Sequence, residues 1–184
     1  MDWFEPVARR PARVAVVVAA TLALITWRIG PDAALPAYLY LGAVGVVLAF
    51  IDVAIRRLPD PLTLPSYAVA AALLGVAATF TRDGGTRYVH ALAGMGALLA
   101  FYAVQWFFLP GQIGLGDVKL AGVLGLYLGW LGLGGVLLGV FAIHLLGGLY
   151  AGALLAARRT TLNATIPFGP FMLAGTLVAI LLQQ

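Results

Sequence analysis

From Val118 to Ala157 the chain runs for forty residues in which Lys119 is the only charged side chain. A helix that is apolar on every face has to be buried in protein or in lipid. About 20 helical residues cross the hydrocarbon of a bilayer, so this stretch is too long for one span and has room for two. The break fits best at Gly129-Trp130-Leu131-Gly132, where glycine loosens the backbone and Trp130 would sit at a membrane interface. Comparable apolar runs cover Val14 to Ile25 (ending in Trp27-Arg28), Leu35 to Ile55, Leu62 to Thr79 and Tyr88 to Leu109, the last stopping at Pro110-Gly111. A final one opens at Ile166-Pro167 and reaches Leu182. The expected fold is therefore all-α: a polytopic membrane protein, a bundle of about seven transmembrane helices.

Composition agrees with this pattern. Charged residues make up 10% and mean hydropathy is +1.01, against about 25% charged residues in soluble domains. No charged, periodic stretch is long enough to build a soluble domain. The expected organisation is a polar tail over residues 1–13 and one transmembrane domain over 14–184. The first apolar run is followed by no small-x-small cleavage site, so it reads as a retained span and not as a signal peptide.

Cysteine is absent, which excludes a disulfide, a thiolate nucleophile and a Cys-ligated zinc. Two histidines are too few for a His-built metal site, and no metal or cofactor is expected. His144, in the middle of an apolar run, reads as a neutral, hydrogen-bonded packing residue. The net charge of +4 does not point to nucleic acid, because no basic run exceeds two residues. It reports orientation instead. With seven spans, eight Lys/Arg (Arg9, Arg10, Arg13, Arg56, Arg57, Lys119, Arg158 and Arg159) share the side of the amino terminus. Three, Arg28, Arg82 and Arg87, lie opposite. That asymmetry places the amino terminus in the cytoplasm, with Trp27 and Trp130 in the outer aromatic belt and Trp106 near the inner one. The pairs Gly125/Gly129, Gly135/Gly139 and Gly148/Gly152 have the spacing that lets helix backbones pack closely within one chain.

Seven acidic residues remain to be placed. Asp2 and Glu5 belong to the tail, and Asp32 and Asp83 to outer loops. Asp60, followed by Pro61, has the form of a helix N-cap with proline at the first helical position. Asp52 and Asp117 are left, each at the cytoplasmic end of an apolar helix. A carboxylate in hydrocarbon costs about 2.5–3.5 kcal/mol on insertion scales, so an acid kept there is a functional candidate. Asp117 also sits in Gly114-Leu115-Gly116-Asp117-Val118-Lys119-Leu120, where Gly114 and Gly116 allow another backbone or a peptide to approach. The plainer reading of that stretch is a flexible loop with an N-capping Asp, and the plainer reading of Lys119 is a snorkelling lysine. If the two acids meet, like-charge repulsion leaves one protonated, and acid and base then share one site. Such a pair can activate water against a peptide carbonyl without a cofactor. Two intramembrane carboxylates would also suit a proton-coupled transporter, although such sites more often lie near the midplane between internal repeats, and no repeat is visible.

Three ordered blocks resemble the type IV prepilin leader peptidases, membrane-embedded aspartic proteases with a G-x-G-D motif. They are Ile51-Asp52-Val53 with Arg57 through Pro65, Gly114 through Leu120, and Ile166-Pro167-Phe168-Gly169-Pro170-Phe171. The resemblance covers roughly residues 35–182. It implies that Asp52 and Asp117 are the catalytic pair, with Gly114, Gly116 and Lys119 as supporting motif. It further implies a multi-pass protein of the bacterial cytoplasmic (inner) membrane. Its partners would be the lipid and a prepilin or pseudopilin precursor, cut on the cytoplasmic side after a short basic leader. Many members carry a cytoplasmic segment whose paired cysteines bind zinc, associated with methylation of the trimmed pilin. With no Cys and no room for that segment, this chain resembles the short, peptidase-only members. A presenilin-like protease shares G-x-G-D, but its Pro-Ala-Leu block is not found here.

Overall fold

The computed structural model describes residues 3–109, 111, 113–159 and 166–183. Asp2 of the tail and Pro110 of the expected stop after the fourth apolar run lie outside them. Prolines in the first turn open the first four helices, where a missing N–H costs nothing. These are α1 (Glu5–Ala8), α2 (Pro11–Ile29), α3 (Leu35–Ile55) and α4 (Asp60–Phe80). There follow α5 (Gly84–Phe108), α6 (Leu115–Trp130), α7 (Leu133–Ala156) and α8 (Gly169–Gln183). No strand occurs among the described residues, as an all-α bundle requires. Each of the seven expected apolar segments has a helix, α2 to α8. The long run breaks where the glycines allowed it: α6 ends at Trp130, and Gly132 turns the chain with φ +86°.

Length separates these helices. Five of them, α2, α3, α4, α5 and α7, are long and apolar enough to cross a membrane. Helices α6 and α8, with 16 and 15 residues, rise about 1.5 Å per residue and fall short of the roughly 30 Å of hydrocarbon. Helix α6 is instead the centre of the bundle. Twelve of its residues are buried, on every side of it, so its uniform apolarity reports protein neighbours and not lipid. Trp130 is accordingly not a belt residue. It is 2% exposed and packs among Ala34, Tyr38, Tyr127 and Ile180, whereas Trp27 is 81% exposed.

Neighbouring helices run antiparallel, and missing side chains set their register. A Cβ on Gly94 of α5 would meet the Gly125 carbonyl oxygen of α6 at 2.5 Å. One on Gly129 would meet the His90 oxygen at 2.3 Å, so the two backbones touch directly over more than a turn. Gly135 and Gly139 of α7 lie over Leu131 and Leu128 of α6, and Gly175 of α8 lies over Ile143 of α7. Gly148 and Gly152 differ from the sequence expectation: nothing lies within 4 Å of where their Cβ would be. The alternation gathers the end of α3 and the starts of α4, α6 and α8 at one end of the bundle.

Candidate active site

Asp52 occupies the last turn of α3 and is 5% exposed. One turn later Arg56 adopts the left-handed conformation (φ +51°) and ends the helix. The chain then passes through Leu58 and an extended Pro59 before α4 begins. This sharp reversal turns Asp52 inward beneath the connection. Its Oδ2 accepts a hydrogen bond of 3.1 Å from the backbone N–H of Gly169, the first residue of α8. Helix starts leave such donors unpaired and carry partial positive charge, so a carboxylate is a natural partner there. A Cβ on Gly169 would lie 2.8 Å from that same oxygen, so the contact requires glycine.

Asp117 lies in the first turn of α6, and its Oδ2 accepts a 3.0 Å hydrogen bond from the N–H of Gly114, the N-cap residue. In return the Asp117 N–H donates to the Gly114 carbonyl at 3.0 Å. The plainer reading of an N-capping Asp is therefore not what the structure has: Gly114 is the N-cap, and Asp117 sits three residues in with its carboxylate reaching back to the N-cap N–H. Gly116 lets this turn close onto the α3–α4 connection, since a Cβ there would stand 3.1 Å from the Leu58 Cβ.

Lys119 and Asp60 differ from their plainer readings. The residue at the N-cap of α4 is Pro59, no side chain caps that helix, and Asp60 points away from it. Both Asp60 oxygens accept from Lys119 Nζ, at 2.7 and 2.8 Å. This ion pair links α4 to α6 across 59 residues of sequence. The lysine therefore binds a partner acid and does not simply reach for solvent. Its own carbonyl accepts a 2.6 Å bond from the Tyr67 hydroxyl of α4, a second fastening at the same place.

The structure brings these residues to one cavity of about 510 Å³, lined by Asp52, Asp117, Asp60, Lys119, Gly114 and Gly116 among others. Among the described residues no group of three or more His, Asp or Glu side chains is arranged to hold a metal ion. Two carboxyls facing one open cavity, each steadied by one backbone N–H, can take a proton from a water and give one to a carbonyl oxygen. Sequence reasoning had no view of the Gly169 N–H. The signal there was the Ile166-Pro167-Phe168-Gly169-Pro170-Phe171 block, which marked the segment without indicating which acid its N–H would meet.

Comparison with known proteins places the chain. The family model described as the type IV leader peptidase family matches residues 39–157, a range that includes Asp52 and Asp117. The chain is 35% identical over 178 residues to a prepilin leader peptidase/N-methyltransferase of Aeromonas salmonicida (strain A449), covering 92% of this chain and 55% of that one. It is 31% identical over 182 residues to the protein of that name from Aeromonas hydrophila, covering 96% and 59%. The protein of that name from Klebsiella pneumoniae is 33% identical over 130 residues, covering 68% and 55%. The chain thus spans somewhat over half the length of these relatives. No solved structure gives a significant match.

Proposed function

The chain belongs to the type IV leader peptidase family, and from that premise we propose that it is a membrane aspartic endopeptidase acting on prepilin or pseudopilin precursors. The observation that carries this reading is the shared cavity: Asp52 and Asp117, 65 residues apart in sequence, open onto the same space at one end of the bundle. In the proposed reaction one carboxylate removes a proton from a water molecule as its oxygen attacks the scissile carbonyl carbon. The partner carboxyl, protonated at the start, gives its proton to the carbonyl oxygen. On collapse of the tetrahedral intermediate a hydroxyl proton returns to the partner carboxyl as the carbonyl re-forms, and the C–N bond breaks as the first carboxyl passes the water's proton to the leaving amine. Water supplies the nucleophile, and no cofactor enters the balance.

The remaining residues have supporting parts in this scheme. Gly114 and Gly169 hold the two carboxyls through their N–H groups. Gly116 and the Lys119–Asp60 pair keep the start of α6 against α4 and the loop before it. Counted with α2 to α8 as seven alternating passes through the bundle, the eight-to-three asymmetry of basic residues supports an inner-membrane protein with its amino terminus, and the cavity, on the cytoplasmic side. Cleavage there separates a short basic leader, which remains in the cytoplasm, from an apolar helix already in the bilayer.

The test is co-expression of the full chain with a prepilin-like precursor, read as a gel shift. Asp52→Asn and Asp117→Asn should each abolish cleavage while protein level in the membrane is kept, because Asn has nearly the same shape and is cheaper to bury. Members of one catalytic unit are strongly non-additive, so the double variant should be little worse than either single one. Substantial cleavage by either single variant defeats the proposal.

A further inference from the structure

Tyr102 of α5 is fully buried, yet its hydroxyl has no hydrogen-bond partner among the described residues. An unpartnered buried hydroxyl costs about 1–3 kcal/mol, and phenylalanine would fill the same space without that cost. Such a group calls for a reason, and its position supplies one. Helices α5 and α6 are in backbone contact, with His90 and Ala91 over Gly129, Gly94 over Gly125 and Leu99 over Gly122. Continued along the antiparallel pair, that register brings Tyr102 abreast of Val118, next to Asp117. Tyr102 packs in one cluster with Val118, Leu58 and Phe168. Leu58 lies on the loop over Asp52, and Phe168 immediately precedes the glycine that holds Asp52. The Tyr102 ring lies against Phe168 with centroids 6.3 Å apart and is stacked on His144 at 6.0 Å. His144 is itself tied down by Nδ1 to the Val140 carbonyl at 2.8 Å. The ring is thus held between His144 and Phe168, in the same cluster as Val118 and Leu58, the neighbours of the two acids.

We propose that Tyr102 is a positioning residue of the acid pair: in the working site its O–H donates to Asp117 Oδ1 from the α5 side, while Gly114 holds Oδ2. Gripped at both oxygens, the carboxyl cannot swing as the peptide enters, and its plane stays aligned with the water and carbonyl it must serve. The inference rests on the assignment of Asp52 and Asp117 as the catalytic pair.

The test compares Tyr102→Phe, Tyr102→Leu and Asp117→Asn in the full chain, purified in lipid, with kcat and KM measured on a prepilin-like precursor and the melting midpoint alongside. Removing only the hydroxyl should leave the midpoint unchanged or raise it and leave KM within about twofold. It should lower kcat by roughly tenfold to a hundredfold, the range of one charge-assisted hydrogen bond. Tyr102→Leu, which also removes the clamped ring, should lose stability as well. A Tyr102→Phe enzyme with wild-type kcat beside an inactive Asp117→Asn enzyme would overturn the inference and leave the acid pair standing. So would a rise in KM at constant kcat, which would put the hydroxyl on the substrate. An active Asp117→Asn enzyme would instead overturn the acid pair, and this inference with it.

Discussion

Gly169→Ala is the sharpest single-methyl test of the site. The new Cβ would stand 2.8 Å from Asp52 Oδ2 and 3.4 Å from Leu58 Cδ2, so it cannot relieve one contact by leaning toward the other. The acceptor is a short side chain that is 5% exposed, with little freedom to retreat. Two costs follow. Overpacking a close-fitting site costs about 1–3 kcal/mol. Displacing the carboxylate from the Gly169 N–H removes a bond to a charged group, about 1.5–3 kcal/mol. Against them, alanine is a better helix former than glycine by up to about 1 kcal/mol, which offsets part of the loss. A carboxylate moved by several tenths of an ångström is misaligned for its reaction, and a 1 Å misplacement can cost about a hundredfold. The expected outcome is a kcat lowered roughly thirtyfold to several-hundredfold, together with a melting midpoint lower by several degrees. Gly148→Ala is the matched control, since nothing lies within 4 Å of its added methyl. It should cleave like the wild type. The assay is precursor cleavage in lipid with both variants at equal protein level. A folded Gly169→Ala enzyme within threefold of wild type would refute the role given to this contact.

Two further outcomes follow from the packing. Gly125→Ala would drive a methyl to 2.4 Å from the Gly94 carbonyl oxygen and 2.8 Å from the Met95 Cα; backbone cannot give way as a side chain can, so the melting midpoint should fall by many degrees or the protein should fail to accumulate. Lys119→Met and Asp60→Asn break an ion pair whose side chains are 30% and 52% exposed, a setting in which such pairs contribute about 0.2–1 kcal/mol. Each should therefore keep at least about a fifth of wild-type cleavage, and the exchanged pair Lys119→Asp with Asp60→Lys should recover part of the loss. Complete inactivity of Asp60→Asn would mean that Asp60, and not Asp52, is the partner of Asp117.

Much of the architecture was legible because hydrocarbon thickness imposes a length on the chain. The run Leu35 to Ile55 became α3 with the same limits, since proline opens it and a basic pair follows it. The break inside the forty-residue run was legible for a similar reason: an unbroken helix of that length has no place to end. The two acids stood out because a carboxylate beside so much apolar sequence is costly, and the structure brings both to one cavity. What was not legible depends on partners distant in sequence. Asp60 has every local feature of an N-cap, and only the fold reveals an ammonium arriving from Lys119. The Gly169 N–H is invisible for the same reason, since any helix start offers such a donor and only the fold decides which acid meets it.

The glycine pairs and Trp130 show the same limit from the packing side. Gly125/Gly129, Gly135/Gly139 and Gly148/Gly152 share one spacing, yet the first meets backbone, the second meets leucine side chains and the third meets open space. Spacing records a capacity for close approach, and the neighbour that uses it is chosen elsewhere. Apolarity is equally silent about what surrounds a helix. Helices α6 and α7 are both apolar on all sides, but twelve residues of α6 are buried against five of α7. The difference matters for the chemistry. A carboxyl carried on the enclosed helix inherits the position of the whole bundle, because α5 touches its backbone and Tyr67 and Asp60 of α4 fasten its first turns. Asp52, itself 5% exposed, is positioned by a different set of contacts, the loop beyond α3 and one N–H from α8. A methyl group on Gly169 presses directly on that N–H contact, which is why it is expected to lower cleavage.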